Sequence, residues 1–202
     1  MNSMKNLFRT VGIVCDYHKY FSLWKSLTST VPEILKIDHI AIAASSHNKI
    51  IQLEKILADG GGKIILPVHI WPKSANLAKE IPKEDHKYMC SIAFDHFFVV
   101  AVSPNGSDDT ISKFAGNSKE PKIHHLAVLV SNLKKAINSI SEKHDFLMLG
   151  SFPIDNAELK QVFMRRKRDD KIIEIVWRKN PESTSLDDKN ISFLSASLRN
   201  SS

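Results

Sequence analysis

The sequence predicts an α+β fold assembled from two successive βαβββ modules. Three observations carry this. A ten-residue segment recurs with its polar residues in register, an amphipathic helix follows each copy, and three short β-rich runs lie beyond each helix.

The repeat comes first. Lys36-Ile-Asp-His-Ile-Ala-Ile-Ala-Ala-Ser45 aligns without a gap on Lys122-Ile-His-His-Leu-Ala-Val-Leu-Val-Ser131, an offset of 86 residues (125 − 39). Lys, Ile, His, Ala and Ser recur in place, and the other positions are apolar except Asp38, which matches His124. Two strands that match by chance share an apolar pattern but not a polar residue in register. Alternation puts His39, Ala41 and Ala43 on one face of the first copy and Ile40 and Ile42 on the other. The same parity turns His124 away from His125, toward the helix layer or solvent.

Each copy is followed by a helix. Leu133, Ala136, Ile137 and Ile140 fall at i, i+3, i+4 and i+7 with Lys134 and Lys135 outside. Ile50, Leu53, Ile56 and Leu57 make the comparable stripe in the first module, stopped by Gly60-Gly-Gly62. The β-rich runs are Ile64–Leu66, Tyr88–Phe94 and Phe97–Val102 in the first module, and Phe146–Leu149, Gln161–Met164 and Ile172–Trp177 in the second. The modules are thus predicted over 36–102 and 122–179, with a polar linker over 103–121. Residues 1–35 hold Tyr17, Tyr20, Phe21, Leu23 and Trp24, too aromatic for a disordered tail, and are expected to form an ordered extension. Residues 180–202 are Ser/Asn-rich and are expected to stay mobile.

Composition narrows the classes of function. The longest apolar run, Phe97–Val102, is six residues against the roughly 18 of a transmembrane helix, so no membrane span is expected. Val11–Cys15 is too short an apolar stretch for a signal peptide, being broken at Asp16. Cys15 and Cys90 cannot build a disulfide framework and read as reduced thiols of a cytoplasmic chain. The net charge of +6 is scattered rather than striped, which suits anionic small molecules and gives nucleic acid no motif.

A tandem βαβββ pair, each module opened by a strand carrying an Asp- or His-preceded histidine, resembles the vicinal oxygen chelate superfamily. The resemblance covers about residues 36–178 and is locally greatest to methylmalonyl-CoA epimerases. It is carried by Ser103-Pro-Asn-Gly-Ser-Asp-Asp-Thr-Ile-Ser-Lys-Phe114, by Ile123-His-His-Leu-Ala-Val128 and by Ile172-Ile-Glu-Ile-Val176. It implies that the modules form a paired, curved mixed sheet around a cleft, closed within one chain or across a homodimer.

It also implies a divalent transition metal (Fe, Co, Mn, Ni or Zn) held by His39 and His125 of the opening strands and Glu174 of the closing strand. Parity agrees independently, because Ile172, Glu174 and Val176 share a face and a charge alternating with Ile in a buried strand must be satisfied. The fourth family position falls on Val100, which cannot ligate. Two His and one Glu remain, with other positions left to water or substrate, a set that also suits the Fe(II) of extradiol dioxygenases. A lost ligand equally reads as a lost metal.

Taken singly, each of these residues has a plainer reading. His39 and His125 read as hydrogen-bonded strand histidines, and Glu174 as the partner of Arg165 or Arg166. Those two arginines belong to a solvated hairpin turn, or they anchor a substrate carboxylate or phosphate. Phe98, Val100 and Val102 make an apolar substrate wall, and His96 shares their face four residues upstream of Val100. The resemblance places a catalytic carboxylate near Glu84 and Asp85, with His86 a further base candidate, although a surface loop explains all three. His69 could line the cleft. The expected function is a metal-dependent epimerase or isomerase acting on a small oxygenated acid or thioester through enolate stabilisation. The alternatives are an Fe(II) extradiol-type dioxygenase and a metal-free protein that sequesters a small molecule.

Overall fold

A computed structural model describes residues 8–106, 110–116, 118–155 and 158–183. The expected mobile tail falls largely at 184–202, outside the described residues, as do 1–7 of the extension and 107–109 and 117 of the linker.

The fold is α+β with a curved, mixed sheet, and each expected helix and strand run is present within a longer element. In chain order the elements are α1 (Val14–Thr30), β1 (Ile34–Ala43), α2 (His47–Asp59), β2 (Lys63–Trp71), α3 (Leu77–Glu80), a 3-10 turn (Lys83–Asp85), β3 (Lys87–Phe94), β4 (Phe97–Pro104), α4 (Thr110–Ala115), β5 (Lys122–Val130), α5 (Leu133–His144), β6 (Phe146–Asp155), β7 (Leu159–Arg166) and β8 (Ile172–Arg178). The strands hydrogen-bond in the order β2-β3-β4-β1-β5-β8-β7-β6. Among the described residues no helix is long and apolar enough to cross a membrane.

Contacts divide the chain into two compact units. One joins the described residues up to Lys19 to Ile40–His124, and the other joins Tyr20–His39 to the described residues from His125 onward. In the first unit α2 starts at Ser46, whose hydroxyl accepts from Lys49 N, and buries Ile50, Leu53 and Leu57. Its end uses the glycine run unequally: Gly61 has φ +94°, while Gly62 approaches Ile92 so closely that a Cβ there would lie 2.3 Å from Ile92 Cγ2. β3 pairs antiparallel with both β2 and β4. His96, expected on the face of Val100, instead sits in the tight exposed turn that joins β3 to β4. The run after Phe94 must reverse direction there, so strand parity does not extend through it.

In the second unit Asn132, 86 residues after Ser46, caps α5 by accepting from Lys135 N at 3.0 Å, so the repeat extends to the helix caps. α5 buries Ala136 and Ile140, the centre of its apolar stripe. β8 runs parallel to β5 and antiparallel to β7, and β7 runs antiparallel to β6. β5 is buried over nearly its whole length, as expected of a strand covered on both faces. Within this unit the last turn of α1 is tied to α5 by Lys143 Nζ donating to Thr30 O at 3.0 Å.

Candidate metal centre

The second unit supplies the whole constellation. The register pairs Ala127 with Glu174 across β5 and β8, and Glu174 with Phe163 across β8 and β7. Alternation along β5 and β8 therefore sets His125, Glu174 and Phe163 on one face of the sheet. His39 comes from β1, which the strand order places beside β5. Three adjacent strands thus contribute one donor each.

Their side chains converge. Glu174 Oε2 lies 3.2 Å from His39 Nε2 and 3.1 Å from His125 Nε2, and the two imidazole nitrogens are 3.3 Å apart. All three residues are buried, Glu174 with 2% of its surface exposed. The His39 and His125 rings meet at a 78° angle, and the edge of Phe163 packs on His125 with centroids 4.8 Å apart. An ion bound at about 2.0–2.2 Å with angles between octahedral and tetrahedral needs donors separated by roughly 2.8–3.6 Å. The donor set, its spacing and its burial fit a first-row divalent ion.

Electrostatics distinguish the two histidines. Burial alone would pull His39 down, but the carboxylates of Glu174 and Asp38 outweigh it and push the imidazole up to about 9. His125 shifts downward, because burial and the charge on His39 together exceed the pull of Glu174. Burial would raise Glu174, yet the imidazolium of His39 and the hydrogen bond from His125 hold its carboxyl well below the usual range. These shifts favour the ionised form of Glu174, the protonated form of His39 and the neutral form of His125.

Sequence reasoning passed over two buried groups beside the centre. Asp38 Oδ2 accepts from His39 Nδ1 at 2.9 Å, and Arg178, the last residue of β8, donates from Nε to Asp38 Oδ1 at 2.8 Å and from Nη2 to Oδ2 at 3.0 Å. The signals were an acid directly before the histidine and an arginine in step with Glu174 along β8.

Glu174 is partnered by the imidazoles of His39 and His125 rather than by Arg165 or Arg166. Arg166 is buried, donates from Nε to Asp169 Oδ1 at 2.7 Å and lies over the Phe146 ring. Arg165 is opposite Ile172 on β8, hence on the Glu174 face, with a side chain 40% exposed and a distant ion pair to Asp170 at 3.9 Å. In the first unit Phe98, Val100 and Val102 share a face of β4, opposite Ala93, Ser91 and Met89, and all three are buried. Asp85 is buried rather than on the expected surface loop, at the end of the 3-10 turn in which its N–H donates to Pro82 O. His86 is half-buried with Nε2 3.3 Å from Ile81 O, and the side chain of Glu84 lies outside the described residues. His69 Nδ1 donates to Pro67 O at 2.8 Å. His124 packs edge-on against Phe114 of α4.

No family model matches the sequence, and no curated protein matches it either. Solved structures do. A hypothetical protein from Bacillus halodurans superposes with TM-score 0.52 at 19% identity, covering 72% of this chain and 95% of that one. A mutant 4-hydroxymandelate synthase from Streptomyces coelicolor gives TM-score 0.61 at 14% identity, covering 83% of this chain and 54% of its own. Methylmalonyl-CoA epimerase from Mycobacterium tuberculosis gives TM-score 0.50 at 19% identity, covering 73% and 91%. At these identities the likeness is one of fold, and it agrees with the resemblance read from the motifs: the chain has the fold of the vicinal oxygen chelate superfamily.

Proposed function

We propose that this chain is a metal-dependent enzyme of epimerase or isomerase type, acting on a small oxygenated acid or thioester. The observation that carries the reading is the buried trio of His39, His125 and Glu174 with donor atoms 3.1–3.3 Å apart. A divalent ion held there supplies electrophilic stabilisation to a substrate oxygen that gains charge as an α-proton leaves.

The chain's own residues do the rest. Glu174 contributes the negative charge that two neutral imidazoles lack, and the Phe163 ring packs against His125. Arg165 shares the Glu174 face two residues beyond Phe163, about 7 Å along the strand, where an exposed guanidinium suits a substrate carboxylate or phosphate. Arg166, the other arginine of this run, is hydrogen-bonded to Asp169. The proton needs an acceptor, and Glu84 and His86 are the candidates that variants must separate.

A second reading, an Fe(II) extradiol-type dioxygenase, is favoured by one feature: two histidines and one carboxylate are the donor set of oxygen-activating non-haem iron sites.

The deciding experiment loads the purified chain with Fe(II), Co(II), Mn(II), Ni(II) or Zn(II) and offers acyl-CoAs and catechols in deuterated buffer over an oxygen electrode. Metal-dependent deuterium uptake without oxygen consumption is expected, and Glu174→Gln should abolish it. The variant of the true base stops exchange while metal stays bound. Oxygen consumption would establish the second reading instead. Less than one equivalent of every ion would overturn both and leave sequestration of a small molecule.

A further inference from the structure

Every polar atom of the His39 ring is committed. Nε2 faces Glu174 and His125, and Nδ1 faces Asp38. The Asp38 carboxylate has no freedom either, because Arg178 grips both of its oxygens side-on through Nε and Nη2. Asp38, His39 and Arg178 are all about 5% exposed or less. In the strand order β5 lies between β1 and β8, so Arg178 reaches Asp38 past an intervening strand. A buried arginine–carboxylate pair is a weak source of net stability, since desolvation consumes most of its attraction. The fork geometry, however, fixes orientation closely.

A ligating imidazole needs its lone pair on the nitrogen that faces the ion, and its tautomer is set by whatever the other nitrogen contacts. Asp38 can only accept, so Nδ1 of His39 keeps its proton and Nε2 is the donor atom. The Phe163 ring packs against His125.

We propose that Asp38 and Arg178 are positioning residues which lock His39 into the Nδ1–H tautomer and aim Nε2 at the centre formed with His125 and Glu174. The inference rests on the metal-centre reading, and its test separates the two. Co(II) is titrated into the whole chain by calorimetry, and the visible spectrum of the bound ion is recorded. Imidazole nitrogens are followed by two-bond 1H–15N correlation with and without Zn(II).

Asp38→Asn should weaken Co(II) binding by about 10- to 100-fold and alter the ligand-field bands. Arg178→Met should weaken it too, and Arg178→Lys, which keeps the charge but loses the fork, should fall between Arg178→Met and the unsubstituted chain. In the Zn(II)-loaded unsubstituted chain, His39 should show a protonated Nδ1 and a metal-shifted Nε2. In the metal-free chain its Nδ1 proton should be far downfield, moving upfield in Asp38→Asn as the acceptor loses its charge. A melting curve for each variant identifies any that fails to fold, in which case Arg178→Lys, the mildest change, decides. Unsubstituted affinity and spectrum in both Asp38→Asn and Arg178→Met would overturn the proposal, as would Zn(II) on Nδ1 of His39. If the unsubstituted chain binds no ion, the metal-centre reading fails, and the metal-free Nδ1 signal still decides whether Asp38 holds the ring.

Discussion

His39 is the residue on which the charge balance of the metal-free centre turns. Its imidazole is pushed up to about 9 from the ordinary 6.5, so the stabilisation it gives the fold is complete below about pH 6.5 and disappears as pH rises through about 9. Glu174 acts with the opposite sign: its depressed carboxyl contributes above about pH 4.5 and loses that contribution as pH falls through its native value. With chelator present, the thermal midpoint should be highest between about pH 5 and 6.5 and should decline toward pH 9.5. Glu174→Gln should flatten that decline, since it removes the largest charge holding the proton on His39. Calorimetry across the pH range tests this, and a midpoint that climbs toward pH 9 would refute it. At the same scale, burial together with the nearby Glu54 pushes the Cys90 thiol up to about 12. Iodoacetamide at pH 8 should therefore leave Cys90 unmodified in the native chain and alkylate it after unfolding, as peptide mass mapping would show. The buried trio was legible because a repeat set His39 against His125 and parity set Glu174 inward. Asp38 was not, because alternation assigns it to the face opposite His39, and only the reach of its carboxylate brings it back to the ring.

Among the elements, the helices that follow the two copies were legible to within a turn, since their apolar stripes are local signals; the caps at Ser46 and Asn132 emerge only in the structure. The strands were underestimated at their ends. β2 continues through Pro67 to Trp71 because as an edge strand it tolerates a residue without an N–H, and β6 extends past Gly150 through a register shift. The aromatic content of residues 1–35 implies order but not its form, and the structure supplies the helix α1, which buries Tyr17, Tyr20, Leu23 and Leu27. The end of α2 makes an element-scale prediction. Gly62→Ala forces a Cβ into Ile92 Cγ2 and toward Leu57 O at 2.9 Å, and should cost about 1–3 kcal/mol by urea denaturation. Gly61→Ala meets open space and bears only the strain of a left-handed backbone, about 1 kcal/mol. Gly106→Ala, with neither restraint, should be neutral. Equal costs at the three positions would contradict this account of the helix end.

Across the whole molecule, the three candidate donors His39, His125 and Glu174 all belong to a single unit, so ion binding should act unequally along the chain. An ion at 100 times its Kd stabilises the state that binds it by about 2.7 kcal/mol. For a chain of this length each kcal/mol moves the thermal midpoint by about 2–4 °C, which gives a rise of roughly 5–11 °C on saturation. Where local opening is not global unfolding, that stabilisation reaches only amides whose exposure breaks the site. Amides of β5, β8 and the His39 end of β1 should gain protection from hydrogen exchange when Co(II) or Zn(II) is added. Those of β2 and β3, paired with one another and supplying no donor, should keep their metal-free rates unless they exchange only through global unfolding. Exchange measured with and without ion, followed residue by residue, distinguishes the cases. Selective protection supports a centre built within one unit, and protection confined to β2, β3 and β4 would place the ion elsewhere. Glu174→Gln provides the control, because it should remove the protection of β5 and β8 and the rise in thermal midpoint together.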